Sequence, residues 1–540
     1  MPKHRSIRSS NAHFAMIPNV GIPRSKFDRS HGVKMTFDAD YLYPFYVDEM
    51  LPGDTFNGKL HAFVRLSTPS LPVMDNLYLD TFFFFVPNRL LWDNWETFIT
   101  GENGAKTVPK LTATTTTGFA VGTLADYMGL PPLIPDYGFN ALHFRAYKLI
   151  WNEWFRSEQL QTALTLVTAD SGDALADYSL QKRGKRHDYF TSSLLYPQIT
   201  ANAVPLFDSG ATAPVIGETG TAIQFMGNTS GAVGQFRTGP STPLTPVNIN
   251  QSSGTFVTSE ALVADASGTN KTGYITDLSD ATSATINDLR LAFATQKLYE
   301  RDARGGTRYT ESLLSHFKVY SPDQRLQRPE YVGGGSTPFQ INPVAQTSAT
   351  SGSDALGDLG AYGVCAPRGH SFQYSAVEHG VLIGLVNVRA DLSYQQGMNR
   401  MWSRTNRLDY YWPALANIGE QAVLFQEIYT QDPATTGPGG TSANLEVFGY
   451  QERWAEYRYK PSEILGKFRT ADSGSLDAWH LSQSFSSLPQ LNSTFIEPDT
   501  PMSRIKAVTT EPDFFFDGAI KLTCARPMPV YSVPGQMDRF

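Results

Sequence analysis

Residues Asp75 to Trp95 read DNLYLDTFFFFVPNRLLWDNW, with four consecutive phenylalanines, Phe82–Phe85, followed by Val86. Successive side chains of a strand face opposite sides of the sheet, so these rings must be covered on both faces. Pro87 cannot donate to a sheet ladder and should end the strand. The following stretch, 88–99, reads as a helix with Leu90, Leu91, Trp92, Trp95 and Phe98 on a broad apolar surface. Strands of antiparallel folds usually keep one face in water. A strand buried on both sides needs a second layer from its own chain or from a neighbouring subunit, and the helices at 88–99 and 140–156 are the expected cover.

Outward from this strand the pattern stays β. Phe37, Ala39, Tyr41, Tyr43 and Phe45 alternate with Asp38, Asp40 and Leu42, which predicts one strand from Thr36. After the turn signal Leu51-Pro52-Gly53-Asp54, Phe56, Leu60, Ala62, Val64 and Leu66 alternate with Asn57, Lys59, His61 and Arg65, the signature of a half-buried strand. Gly380–Val388 is a compact apolar run of strand length, and 526–534 reads as a Pro-rich extended tail. Between the β regions, NALHFRAYKLIWNEWFRSEQL opens on Asn140, a suitable N-cap, and carries Phe144, Tyr147, Trp151 and Trp154 at helical spacing. The basic run Gln181–His187 reads as a solvated loop.

From about 198 to 285 the composition shifts to Thr, Ser, Gly and Ala, with only Asp208, Glu218, Arg237, Glu260 and Asp265 charged between 198 and 270. Phe207, Phe225, Phe236 and Phe256 are isolated within it. This reads as an inserted subdomain of short strands and loops, and long insertions commonly carry recognition. A helix follows at Ile286–Arg301. Arg301, Arg304, Arg308, Arg325 and Arg328 form a series of guanidiniums suited to carboxylates of another subunit or to phosphates. Gly333-Gly334-Gly335 calls for unusual backbone angles or close approach.

The chain has 540 residues, 12% of them aromatic and 18% charged, below the usual quarter, which suits a protein that buries surface against other chains. Its net charge is −7, yet residues 1–34 hold Lys3, Arg5, Arg8, Arg24, Lys26, Arg29 and Lys34 against the single acid Asp28. A basic arm, 1–30, on an acidic body fits contact with nucleic acid, and Lys3, Arg5 and Arg8 are its expected nucleic-acid-binding residues. The two cysteines, Cys365 and Cys524, form no disulfide framework or zinc motif. No apolar run approaches the ~20 residues of a membrane span, and the first residues lack the apolar region of a signal peptide. No HExxH, GxSxG, GxGxxG or GxxxxGK[ST] occurs, and Glu378-His379, being adjacent, would face opposite ways on a strand. No cofactor, metal or enzymatic activity is expected.

Five segments converge on one family: DTFFFFVPNRLLWDNW; FRAYKLIWNEWFR; RDARGGTRY with SPDQRLQRPEYVGGGS; HGVLIGLVNVRADLSYQQGMNRMW; and YQERWAEYRYKPSEILG. Together with the ending PVYSVPGQMDRF they resemble the major capsid protein of gokushoviruses, small single-stranded DNA bacteriophages of the Microviridae. The resemblance covers nearly the whole chain outside the 198–285 insertion. It implies a mainly β fold, an eight-stranded viral jelly roll with long helix-bearing insertions, in which 31–197 and 286–540 supply the two parts of the roll. It further implies a 60-copy T=1 icosahedral shell around a circular single-stranded DNA genome, located in the virion and assembled in the host bacterial cytoplasm. The 198–285 insertion would project near the threefold axes, with Phe207, Phe225, Phe236 and Phe256 in a protrusion used in host attachment. Implied partners are other copies of the chain, the genome, minor pilot and internal scaffolding proteins, and a host cell-surface receptor. The alternatives are a carbohydrate-binding or adhesive β-sandwich protein, and a jelly-roll glycosidase with two carboxylates in one cleft.

Overall fold

Eight strands frame the fold in the computed structural model: β1 His31–Phe37, β2 Tyr43–Met50, β3 Thr55–Leu66, β4 Leu77–Pro87, β5 Glu330–Pro338, β6 Ser371–Ser375, β7 Gly380–Ala390 and β8 Phe514–Arg526. The structure describes residues 23–100, 106–112, 118–134, 137–197, 327–348 and 356–531, the helix Ile286–Gly305, residues 311 and 314–315, and six short strands between 215 and 276. The hydrogen-bonded order is β1-β8-β3-β6-β5-β4-β7-β2, every pair antiparallel. The halves β1-β8-β3-β6 and β5-β4-β7-β2 fold over one another as the two layers of a jelly roll. Phe37, Phe56, Leu60, Phe514, Phe516 and Ile520 from the first half meet Phe45, Leu79, Phe83, Phe85, Leu382 and Val386 from the second in one core. The four phenylalanines divide as expected. Phe83 and Phe85 enter this core, where Phe83 lies 4.4 Å from the Phe372 ring. Phe84 and Val86 face the opposite way, into a second core.

That second core is built by the chain's own insertion between β4 and β5. Leu91, Trp92, Leu142, Phe144, Tyr147, Ile150 and Trp151 pack over Phe84, Val86, Val381, Ile383 and Leu385. At roughly 1.5–3 kcal/mol per fully buried large apolar side chain, the two cores make this strand a main source of stability. The helix spans Leu142–Ile150; Asn140 sits one residue before its cap, and its Oδ1 accepts from the Leu142 N–H at 2.9 Å. The last turn widens into a π-helix, Trp151–Phe155. The helix expected over 88–99 is instead two short pieces, Asn88–Leu90 and Trp95–Thr100. The intervening turn is tied to another loop. Trp92 Nε1 and Asn94 Nδ2 donate to Asp170, and the Asp93 N–H donates to Thr168 O.

Two other expectations change. The strand expected from Thr36 to Phe45 breaks at Asp40, whose φ of 74° is left-handed. Here the chain leaves one sheet for the other. The Asp40 carboxylate takes the Thr500 N–H and hydroxyl at 2.8 and 2.7 Å, an arrangement that suits Asp at such an angle. Within the stretch expected as an arm, Ser25–Asp28 is already a strand, paired with Thr523–Arg526. Strand β8 escaped the sequence reading altogether, although its burial alternates residue by residue. The glycines of β5 answer to close approach: a Cβ on Gly334 would stand 2.1 Å from Thr81 O, and one on Gly335 2.5 Å from the His370 ring.

The chain divides into two compact units, residues 1–197 with 305–540, and residues 198–304. The helix Ile286–Gly305, expected with the closing part of the roll, thus falls with the insertion through Arg304. Within that second unit, Val215–Gly217 pairs with Tyr274–Thr276, Phe236–Arg237 with Pro246–Val247, and Asn250–Ser252 with Thr255–Val257. Among the described residues no helix is long and apolar enough to cross a membrane.

Candidate assembly surface

The 391–513 insertion between β7 and β8 and residues 189–190 of the β4–β5 connection build a third core from Tyr189, Phe190, Val423, Phe425, Ile428, Phe448, Leu491 and Phe495. The same insertion carries a strap, residues 400–418, tied to it through Arg400 and Trp454. The strap is a series of single 3₁₀ turns, Arg400–Ser403, Arg407–Asp409 and Pro413–Leu415. Local capping explains them. Asn399 Oδ1 accepts from the Met401 N–H, Asp409 accepts from the Asn406 and Thr405 N–H groups, and Pro413 opens the third turn. Those backbone bonds, Asn406 first, hold the Asp409 carboxyl below its usual range. Short turns cannot gather apolar side chains onto one buried face as a long helix does. The result is an exposed set: Trp402, 73% accessible, with Leu408, Tyr410, Tyr411, Trp412 and Ile418. Tyr457, Tyr459 and Leu465 are exposed on the stretch that follows the Val447–Glu452 strand.

Arginines fix this surface from below. Arg400 donates to Ala422 O at 2.7 Å and to Glu427 at 3.2 Å, and Arg404 pairs with Glu456 at 3.1 Å. Burial pushes the Glu427 carboxyl up, against the opposing pull of Arg400. The Arg404 guanidinium lies 4.2 Å from the Tyr457 ring centre, that of Arg407 4.6 Å from Trp412, and that of Arg453 4.4 Å from Trp454. Trp454 takes a left-handed φ of 69°, unusual for a bulky residue, and its Nε1 donates to Leu415 O at 3.0 Å. Rigid aromatic rings backed by paired arginines are the composition of protein–protein hot spots.

The basic run at 181–187 is not a solvated loop. Arg183 pairs with buried Asp80 and lies 4.6 Å above the Phe82 ring. Lys185 donates to Gln483 at 2.8 Å over the Phe495 ring, and Arg186 pairs with Asp391 at 3.0 Å. Arg389 reaches the same Asp80 at 3.6 Å. The run closes the polar end of the face that Phe84 begins. Sequence alone could not show these partners, because Asp80 and Asp391 lie far along the chain from the arginines they pair with.

Of the residues singled out in the sequence, Lys3, Arg5, Arg8, Phe207, Phe225, Arg308 and Arg325 lie outside the described residues. Phe236 and Phe256 fall in two of the short strands, without described side chains. Arg301 and Arg304 are exposed on the helix Ile286–Gly305, and Arg328 stacks 4.7 Å from the Trp154 ring centre. The strap was missed, although MWSRTNRLDYYW displays its aromatic and basic content openly. A groove of about 790 Å³ at the open edge between β1 and β2 holds two carboxylates. Each is already engaged, Asp48 by Arg29 and Tyr46, Asp126 by the Gly122 N–H. Among the described residues no group of three or more His, Cys, Asp or Glu is placed to hold a metal ion.

Residues 15–536 match the family described as capsid protein (F protein). The chain is 44% identical to the capsid protein VP1 of Bdellovibrio phage phiMH2K, 42% identical to that of Chlamydia phage 1 and 35% identical to that of Spiroplasma virus 4, in each case over 99% of both chains.

Proposed function

The chain belongs to the phage capsid F protein family, and from that premise we propose that it is the major structural subunit of a small icosahedral shell of 60 copies enclosing a circular single-stranded DNA genome. The observation that carries the reading is the strap. A large aromatic surface held rigid by internal ion pairs is costly to leave in water and well suited to burial against another copy. Interfaces of obligate assemblies bury on the order of 2,000–5,000 Å² and are rich in such side chains. The role is structural rather than catalytic.

Finer parts of the reading follow the family resemblance. The insertion 198–285, with Phe207, Phe225, Phe236 and Phe256, projects near the threefold axes and serves host attachment. Lys3, Arg5 and Arg8 face the genome. Arg301, Arg304, Arg308, Arg325 and Arg328 meet carboxylates of neighbouring copies. Assembly takes place in the host cytoplasm with internal scaffolding and pilot proteins. Expression together with the other virion proteins, followed by electron microscopy, tests the central claim. Uniform small icosahedral particles are expected, and Trp402→Glu with Tyr411→Glu should abolish them while leaving a folded subunit. A monodisperse small oligomer in place of shells would return the adhesive β-sandwich reading. Deleting residues 1–10 tests the arm: unchanged DNA packaging would remove it from the genome contact.

A further inference from the structure

The outer face of the β1-β8-β3-β6 sheet stands apart from the rest of the described surface. Its outward positions alternate strictly with core positions along β3 and β8. They bring Lys34, Lys59, Arg65 and Lys521 to one exposed face, with Arg368 exposed in the loop after Cys365. Elsewhere a number of the cations are neutralised: Arg29, Arg89, Arg145, Arg183, Arg400 and Arg404 each hold a carboxylate. On this face, among the described residues, none of the five forms an ion pair, and the only acid on the outward positions of β1, β3 and β8 is Asp517, which opposes Lys34 across the ladder. Lys59 and Lys521 are directly opposed across the ladder, an arrangement that destabilises a sheet.

Aromatic rings lie among these charges. Phe63 is 42% and Phe515 37% exposed; Phe515 opposes Arg65, and the Arg65 guanidinium is 5.1 Å from the Phe63 ring centre. An ordinary solvated sheet face would mix both signs of charge and keep phenylalanine inside. Cations that outnumber the acids, interleaved with open rings on a sheet face, are the combination that binds a single-stranded nucleic acid through its phosphates and stacked bases.

We infer that the outer face of this sheet binds single-stranded DNA without sequence preference, Phe63 and Phe515 stacking on bases while Lys59, Arg65 and Lys521 contact phosphates. The choice of DNA as the occupant rests on the capsid reading; the chemistry of the face does not. The chain as a whole carries −7, so this face is a local exception that can draw a polyanion to an otherwise acidic protein.

The test uses the full-length chain and a labelled oligodeoxythymidylate of about 20 nucleotides, followed by fluorescence anisotropy across a salt series. Phe63→Ala with Phe515→Ala should weaken binding about tenfold or more with little change in salt dependence. Lys59→Gln with Arg65→Gln should weaken it and reduce the slope of log affinity against log salt by about 1.4, since each phosphate contact with a single strand contributes ~0.7. Phe63→Tyr and Lys59→Arg should restore most of the binding, and unchanged thermal melting would show that the variants fold. Unchanged affinity and slope in both double variants would overturn the inference. So would variants that bind the oligonucleotide normally but no longer assemble, because the face would then be a protein contact. Shell formation is scored separately. Normal shells with unaltered DNA binding in the variants defeat this inference alone, whereas a wild-type chain that binds through this face but never forms shells defeats the capsid reading.

Discussion

The outer faces of the two sheets of this jelly roll are opposites. The face of β5-β4-β7-β2 is covered by the chain's own insertion and sealed at its polar end by paired arginines. The face of β1-β8-β3-β6 is bare, and its cations outnumber its one outward acid, Asp517, among the described residues. Both faces come from strands of similar length in one sandwich, so strand geometry does not account for the difference. What differs is the chain available to cover them. The connection between β4 and β5 is long and returns over its own sheet, while the short turn between β2 and β3 and the end-to-end run from Ser25–Asp28 into β1 supply no such layer. A covered face stabilises the subunit, and a bare basic face is left to interact with something else.

The sharpest way to break this contrast is to remove the ion pair beneath the cover. Arg145 is fully buried, donates to both Asp173 oxygens at 2.8 Å and also to the carbonyls of Leu91, Ala169 and Ser171. Arg145→Ala strands a buried carboxylate and should cost about 3–5 kcal/mol in chemical denaturation. Burial opposes the Asp173 charge, yet the hydrogen bonds from Arg145 and Tyr178 together with the Arg145 charge hold its pKa below the usual range. A depressed carboxylate stabilises the fold above its unfolded pKa and loses that contribution as pH falls through the folded one. Stability should therefore fall on acidification below about pH 4, and less so in Asp173→Asn.

Phenylalanine truncation compares the two faces directly. Phe84→Ala, under the cover, should cost about 3–5 kcal/mol, and Phe63→Ala, on the bare face, within about 0.5 kcal/mol. Equal losses would mean that the bare face is packed in the isolated subunit and would dissolve the contrast.

Lys185, in the basic run that closes the covered face, gives a second pH test with the same sign in the alkaline range. Burial lowers its pKa to about 8. Between pH 8 and about 9.5 the unfolded chain holds more protons at this site than the folded one, so stability should rise with pH. Lys185→Met should flatten that rise in thermal melts. Closer to pH 10 tyrosines such as Tyr147, whose pKa burial raises, act the other way.

The smallest expected effect concerns the bare face. Lys521→Glu replaces a like-charge pair with an attractive one opposite Lys59 and should stabilise the subunit by about 0.2–1 kcal/mol. A loss instead would show that the cations are already compensated.

Much of the roll was legible because burial leaves a period. The alternation of β3, the apolar run of β7 and the two-sided demand of Phe82–Phe85 are all statements about neighbours along a strand. Strand β8 was equally legible, with Phe514, Phe516, Ile520 and Leu522 facing in, and was overlooked. The strap was visible as a composition but not as a surface, since exposure depends on what fails to cover it. The basic run was misread because a sequence shows its charges without their partners.

The order of residues along the chain carries the local alternation of strands, the need for a second layer over Phe84, and, through long matching segments, the family. Folding sets where the chain turns from one sheet to the other at Asp40, which acids neutralise Arg183 and Arg186, and which sheet face stays open. The physical reason is range. Side-chain alternation is fixed by adjacent residues, whereas ion pairing and coverage depend on segments hundreds of residues apart, such as Arg183 and Asn387 or Asp40 and Thr500, that meet only once the chain has folded.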